Sequence, residues 1–337
     1  LVTRQTGALF DITGFVKIEI NGKGALDLLQ KVCTNNINIP VGKVVYSVIS
    51  NIYGGIKSDL TISRLEENKF WVLAGAGNGM IDLSWLRENA PDDGSVNIID
   101  WTSAYAGIGL WGPNSRKVLE SLCEDDDVSN EQFPFFSIKN ISISHVPCVA
   151  VRISYIGELG WEIYTPTEYG LTLWDELRIK SQEFNMICSG AGAFESLRLE
   201  KGYRSLGSDI HTNTNPYEAG LGFTVKLRKE NNFIGKEALM KLKESPLKKK
   251  LCCMVMDDRE GMALGKEPIY DSHGKSVGYV TSTNYGYYVD KHILYGYLPN
   301  NYSGEGTKLE LDYFGKRYPI TVTKEPLFDP DNNRLKS

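Results

Sequence analysis

No apolar run in this sequence approaches the ~20 residues that a membrane-spanning helix needs. The longest, such as Val44 to Ile49, stop far short. There is no C-x-x-C pair either. The six cysteines (Cys33, Cys123, Cys148, Cys188, Cys252 and Cys253) are scattered, and Cys252 and Cys253 are neighbours, a poor geometry for a mutual disulfide. This usage reads as reduced thiols of an intracellular protein rather than a disulfide framework. The cytoplasm is the expected compartment, with the mitochondrial matrix as the alternative. Histidine is scarce: His145, His211, His273 and His292 have no His or Cys at metal-ligand spacing, so no metal is expected. An excess of positive charge is also missing. The net charge of −5 would repel a duplex, so no nucleic-acid partner is expected. An anionic small molecule stays open, because a few convergent Arg or Lys suffice. The chain begins at Leu1, so its natural N-terminus is expected to be missing or processed, and nothing at its start resembles a signal peptide.

Universal catalytic signatures are absent too: no G-x-S-x-G, no P-loop, no H-E-x-x-H. Gly107-Ile108-Gly109 and Gly190-Ala191-Gly192 lack the context of a dinucleotide fingerprint and are expected to turn the backbone. What is present is an ordinary globular composition, 42% hydrophobic and 23% charged, which rules out a disordered chain. A length of 337 residues suggests two domains or three.

Periodicity supplies the elements. Phe15 to Ile20 alternates as a half-buried strand, and Gly24 to Val32 has helical spacing. Val44 to Ser50 is β-branched, Asp59 to Arg64 alternates again, and Lys69 to Leu73 makes a further strand. Asn51 to Gly55 then reads as a hairpin connection. Ile81 to Glu88, Ser115 to Leu122, Thr172 to Ile179 and Ala193 to Lys201 read as helices, and Val149 to Ser154 and Trp161 to Tyr164 as strands. At Lys241 to Lys250 the composition turns basic around Pro246, a solvated loop between domains. This places one domain at 1–245 and a second at 246–337. Beyond the boundary, short strands with Gly and Asn turns predict a small barrel or sandwich.

Asp59 is the most interesting carboxylate. It follows Gly54-Gly55, which allow a ligand close to the backbone, and it could orient a ligand amine. From spacing alone, a turn-capping Asp outweighs that reading. Glu158 lies between Gly157 and Gly160 in a turn joining two predicted strands, where it could take adjacent N–H donors. An exposed hairpin Glu is an equal reading. Tyr203 and Phe223 could cover an aromatic heterocycle, although such rings are more often core. Arg198 and Glu200 read as structural ion-pair partners.

Taken together, these segments resemble one family. Gly54 to Leu60 (GGIKSDL) resembles the Gly-Gly-x-x-x-Asp-Leu segment of the glycine-cleavage T-protein (aminomethyltransferase) family. Ser154 to Glu162 (SYIGELGWE), Ser196 to Gly202 (SLRLEKG), Asn215 to Leu221 (NPYEAGL) and Phe233 to Lys236 (FIGK) resemble its following segments, in order. The opening Ala8-Leu9-Phe10-Asp11 and the ending Pro326 to Pro330 are most similar to the folate-binding part of dimethylglycine and sarcosine dehydrogenases. Ser58 departs from the Asp-Asp of T-proteins, and Phe194 stands where those carry Arg; both favour the dehydrogenase branch.

The resemblance implies an α+β, three-lobed fold around a central channel threaded by tetrahydrofolate, with a C-terminal all-β barrel. It places Asp59 near N5 and N10 of the folate, Glu158 at the pterin amino end, and Tyr203 and Phe223 near the channel. The implied activity captures the carbon of an N-methyl amine or aminomethyl donor as 5,10-methylenetetrahydrofolate. It also implies a flavin-binding domain or subunit as partner, in glycine, dimethylglycine or sarcosine metabolism. Two rivals share the fold: a folate-dependent demethylase of a sulfonium or methoxy donor, and a non-catalytic folate-binding regulatory protein.

Overall fold

A computed structural model describes residues 1–258 and 261–337. Two mainly antiparallel sheets face each other, and a closed barrel stands beside them. The first sheet has the order Val44–Ser50, Ile56–Glu66, Lys69–Ala74, Val16–Asn21, Asn97–Asp100. The second runs Ile187–Ser189, Ala8–Asp11, Tyr105–Trp111, Gly160–Pro166, Val146–Val151, Ile138–Ile143. One parallel pair, between Ala8–Asp11 and Ile187–Ser189, interrupts the antiparallel pattern of the second sheet.

Period-2 alternation assigns the faces. In the first sheet Val16, Ile18, Ile20, Leu60, Ile62, Phe70 and Val72 share one core with Leu28, Leu29 and Val32 of the helix Ala25–Val32 and with Leu83 and Leu86 of the helix Gly79–Asn89. The second sheet turns Leu9, Ile108, Leu110, Trp161 and Ile163 towards Val118 and Leu119 of the helix Ser115–Glu120 and Leu173 and Leu177 of the helix Gly170–Glu183. The opposite faces meet in the middle, where Phe10, Trp71, Leu73, Trp111 and Tyr164 pack together. The molecule is therefore layered helix, sheet, sheet, helix, and side chains on the two inner faces are the ones positioned for a ligand.

Gly107 and Gly109 differ from the backbone-turning role expected of them. Both lie within the strand Tyr105–Trp111. A Cβ on Gly107 would sit 2.9 Å from the Tyr164 ring, and one on Gly109 2.5 Å from the Trp111 ring. These glycines make room for two aromatic rings in the inner layer.

The barrel closes in the order Lys249–Met256, Lys291–Pro299, Ser276–Gly286, Pro268–Tyr270, Lys308–Tyr313, Lys316–Thr323. The basic stretch before it is partly helical, since Lys236–Glu244 forms a helix with Leu239 buried. Arg198 ties the sheets to the barrel: its guanidinium donates to Asp209 Oδ2 at 2.7 Å and to Ser282 Oγ at 2.8 Å. Thr281 Oγ1 donates to Asp209 Oδ1 from the barrel side. Beyond Thr323 the chain returns to the sheets, where Phe328 and Leu335 are buried and Arg204 pairs with Glu325 at 2.8 Å. No helix among the described residues is long and apolar enough to cross a membrane.

Candidate functional site

The hairpin 51–55 fixes where Asp59 points. Asn51 Oδ1 accepts hydrogen bonds from the backbone N–H groups of Tyr53 and Gly55, at 2.9 and 3.0 Å, which closes the turn. Gly54 needs its freedom, with φ at +84°. Gly55 admits a close approach, but not of a ligand: a Cβ there would lie 1.9 Å from the Thr212 carbonyl oxygen. The adjoining Ile56 N–H donates to Thr214 O at 2.9 Å. The paired glycines thus clamp the hairpin to the loop 212–214.

Asp59 lies opposite Val48 in the ladder. Leu60 faces the helices, so Asp59 faces the inner layer. Tyr46 Oη donates to its Oδ2 at 2.9 Å. Burial raises the Asp59 pKa above the usual carboxylate value, against the opposing effect of the Tyr46 bond. Burial first, then the Asp59 charge, pushes the Tyr46 phenol well up, so Tyr46 stays a donor.

Rings surround this pair. Phe223, in the short turn Gly222–Thr224, stacks on Tyr46 with centroids 6.3 Å apart and is 61% exposed. Tyr155 stacks on Phe194 at 5.0 Å and lies 6.0 Å from the Tyr203 ring. Its hydroxyl donates to Arg204 O at 2.6 Å. Asp59, Tyr155, Phe194 and Tyr203 are all half-buried, so each keeps part of its surface accessible. Two hollows of about 390 Å³ each lie elsewhere, one beside Glu19 and Lys69, the other beside Leu1 and Tyr287.

Glu158 is not part of this group. It is completely buried in a different cluster, where its Oε1 meets Arg4 Nη1 at 3.2 Å and Arg334 Nη2 at 3.1 Å. Its Oε2 has no hydrogen-bond partner among the described residues. Burial pushes its pKa up to about 7, in spite of the two arginines. Arg4 also donates to Glu200 Oε2 at 2.9 Å, and Glu200 Oε1 accepts from Tyr288 N–H at 2.8 Å. The side chain thus binds the start and the end of this chain to its middle, apart from the rings beside Asp59. Arg198 and Glu200 are ion-paired as read from the sequence.

The acid that does face the inner layer is Glu162. Trp161 and Ile163 point at the outer helices, so Glu162 and Tyr164 point inward. Tyr164 Oη donates to Glu162 Oε2 at 2.6 Å. Burial raises the Glu162 pKa to about 7. The charged Lys17 side chain, whose Nζ donates to Thr13 O and Phe15 O at 2.8 Å each, acts in the opposite direction. Strict alternation along Trp161 to Tyr164 was the signal that could have found it. Among the described residues, no group of three His, Cys, Asp or Glu side chains could hold a metal ion.

A part-accessible carboxyl beside aromatic rings, as at Asp59, suits a flat, nitrogen-rich ring. Comparison with known proteins agrees with the layered fold. Human mitochondrial dimethylglycine dehydrogenase is 36% identical over 337 residues, covering 98% of this chain and 38% of that protein. An aminomethyltransferase of Symbiobacterium thermophilum is 33% identical over 98% of this chain and 88% of its own length. The crystal structure of the glycine cleavage system aminomethyltransferase T from Bartonella henselae superposes with a TM-score of 0.86 at 27% identity, covering 97% of this chain and 88% of that one. The chain thus spans well under half of the dehydrogenase and nearly all of the aminomethyltransferases. Residues 1–229 match the GCVT N-terminal domain and residues 249–329 the glycine cleavage T-protein C-terminal barrel domain, so the chain belongs to the glycine-cleavage T-protein family.

Proposed function

We propose that the site at Asp59 seats a reduced folate and that the chain transfers a one-carbon unit from an amine to it. The observation that carries this reading is Asp59 itself: a half-buried carboxyl with raised proton affinity, anchored by a neutral phenol and surrounded by rings. The residues present fit the ligand. A pterin has a flat face for stacking on Phe223 and an amino edge that donates hydrogen bonds, and Glu162 is the acceptor for that edge. Tyr155 and Tyr203 lie side by side, with ring centroids 6.0 Å apart, as further stacking faces.

When bound, tetrahydrofolate supplies the amine nucleophile, N5 and then N10. Asp59 accepts a hydrogen bond from that amine, orients it and takes up its proton. Tyr46 holds the carboxylate so that it does not swing away. The enclosing rings keep bulk water from the carbon being transferred. The donor in this reading is an N-methyl amine of the dimethylglycine or sarcosine kind, delivered as an iminium by a flavin-binding domain or subunit. Support for that finer step is the long dehydrogenase relative, of which this chain matches 38%. The mitochondrial matrix has the same support.

Calorimetry with tetrahydrofolate tests the site. Binding is expected for the wild type and for Asp59→Asn, and transfer only for the wild type. No binding heat from the folded wild-type chain would overturn the reading.

A further inference from the structure

We infer that Asp82 is a positioning residue for Asp59, acting through Ser58 from the opposite face of the strand that carries both Ser58 and Asp59. Consecutive residues of a strand point to opposite sides. Asp59 faces the inner layer, so Ser58 faces the helix Gly79–Asn89. There its Oγ donates to Asp82 Oδ2 at 3.0 Å. Both residues are almost fully buried, Ser58 at 1% exposed and Asp82 at 2%.

The location matters because the ladder is irregular at this point. Ile49 pairs with Ser58 but Ser50 pairs with Ile56, so Lys57 is skipped. A bulge leaves the backbone free to re-aim the side chains that follow it. The Ser58–Asp82 bond fixes the strand one residue before Asp59. It also puts a second carboxyl behind the first, each raising the other's proton affinity across low-dielectric protein. Burial brings Asp82 up to about 6, and the Ser58 bond opposes that. The charges facing Asp82 are Asp59 on the same strand and Lys57, whose ammonium lies 4.2 Å from the centre of the Trp85 ring. The Cys33 thiol approaches from the end of the helix Ala25–Val32, and burial keeps it protonated. Near neutral pH, then, the charge of Asp82 adjusts how readily Asp59 gives up or takes a proton, and its hydrogen bond sets where that carboxyl sits.

This inference rests on the reading of Asp59 as the acid of the transfer step, and the experiment separates the two. Asp82→Asn keeps a partner for Ser58 and removes the charge; Ser58→Ala keeps the Asp82 carboxyl and removes the bond that lowers its proton affinity. The Asp59 carboxyl is followed by carbon NMR through a pH titration of the whole chain, assigned by its loss in Asp59→Asn. The acid limb of the transfer-rate profile is measured in parallel. Asp82→Asn is expected to move the Asp59 midpoint down by at least ~0.5 pH unit, about a threefold change in proton affinity, and the acid limb with it. Ser58→Ala raises the proton affinity of Asp82, leaves less charge behind Asp59 and is expected to move both down by a smaller amount. A midpoint unmoved in both variants overturns the inference. A midpoint that moves while the acid limb stays fixed upholds the coupling and removes Asp59 from the transfer step.

Discussion

Asp59 and Glu158 are two carboxyls that burial pushes towards their protonated forms, yet their surroundings differ in kind. Asp59 is held by one neutral phenol, is only half-buried, and has the Tyr46–Phe223 stack beside it. Glu158 is sealed from solvent and faces two guanidinium groups that come from the first and the last stretches of the chain. Proton affinity alone does not separate the acid proposed for the transfer step from a structural one. What separates them is whether the partner leaves room for a ligand. A phenol fixes a carboxylate without neutralising it, whereas two arginines spend its charge on holding segments together. The paired glycines belong to the same lesson, because at Gly55 the approaching group is the protein's own backbone.

The comparison breaks most sharply under substitution. Asp59→Asn keeps shape and the Tyr46 contact but removes the proton acceptor, so transfer is expected to fall by about 10³-fold with the thermal midpoint unchanged. A rate within tenfold of wild type sinks the assignment. Glu158→Ala is expected to do the reverse. It strips a buried partner from Arg4 and Arg334 and costs about 3 kcal/mol of stability, read by urea melts, while turnover per folded molecule holds.

Acidity sharpens the contrast further. The folded Glu158 binds its proton more tightly than the unfolded chain does, about 7 against 4.5. Its contribution is therefore complete below pH 4.5 and is lost as pH rises through 7. Glu162 acts in the same direction. Urea melts between pH 4.5 and 8 should show stability declining with pH in the wild type, and less steeply in Glu158→Gln. An identical slope in that variant would mean that Arg4 and Arg334 hold Glu158 ionised throughout.

Much of this was legible in the sequence where local pattern decides. Val44–Ser50 and Lys308–Tyr313 form where β-branched or alternating residues predict strands. The hairpin that presents Asp59 followed from Gly54-Gly55 between two such runs. Tyr105–Trp111 escaped notice because Gly107 and Gly109 argue against a strand until the rings they accommodate are known. The helix Lys236–Glu244 was hidden by its lysines, since it buries little beyond Leu239. The surroundings of Glu158 are not legible in the sequence for a different reason. Its partners lie 154 residues before it and 176 after it, at Arg4 and Arg334, and no local window contains them. Glu162, four residues on, needed only the period-2 pattern of its own strand.

The smallest expected effect concerns Phe223. Its ring is mostly exposed and touches Tyr46 on one side, so the folded chain gains little from it. A stacked aromatic pair adds about 1 kcal/mol beyond area burial. Phe223→Ala should therefore weaken tetrahydrofolate binding by roughly fivefold, a factor that corresponds to that energy, and leave the thermal midpoint where it was. Calorimetry and a melting curve on the same sample decide between cover and core. A lower midpoint with unaltered affinity would make Phe223 a packing residue of the Tyr46 side and move the ligand's stacking face to Tyr155 or Tyr203. Weaker binding at constant stability would place the ring against the ligand, because an exposed side chain that contributes nothing to folding has only the ligand left to stack on.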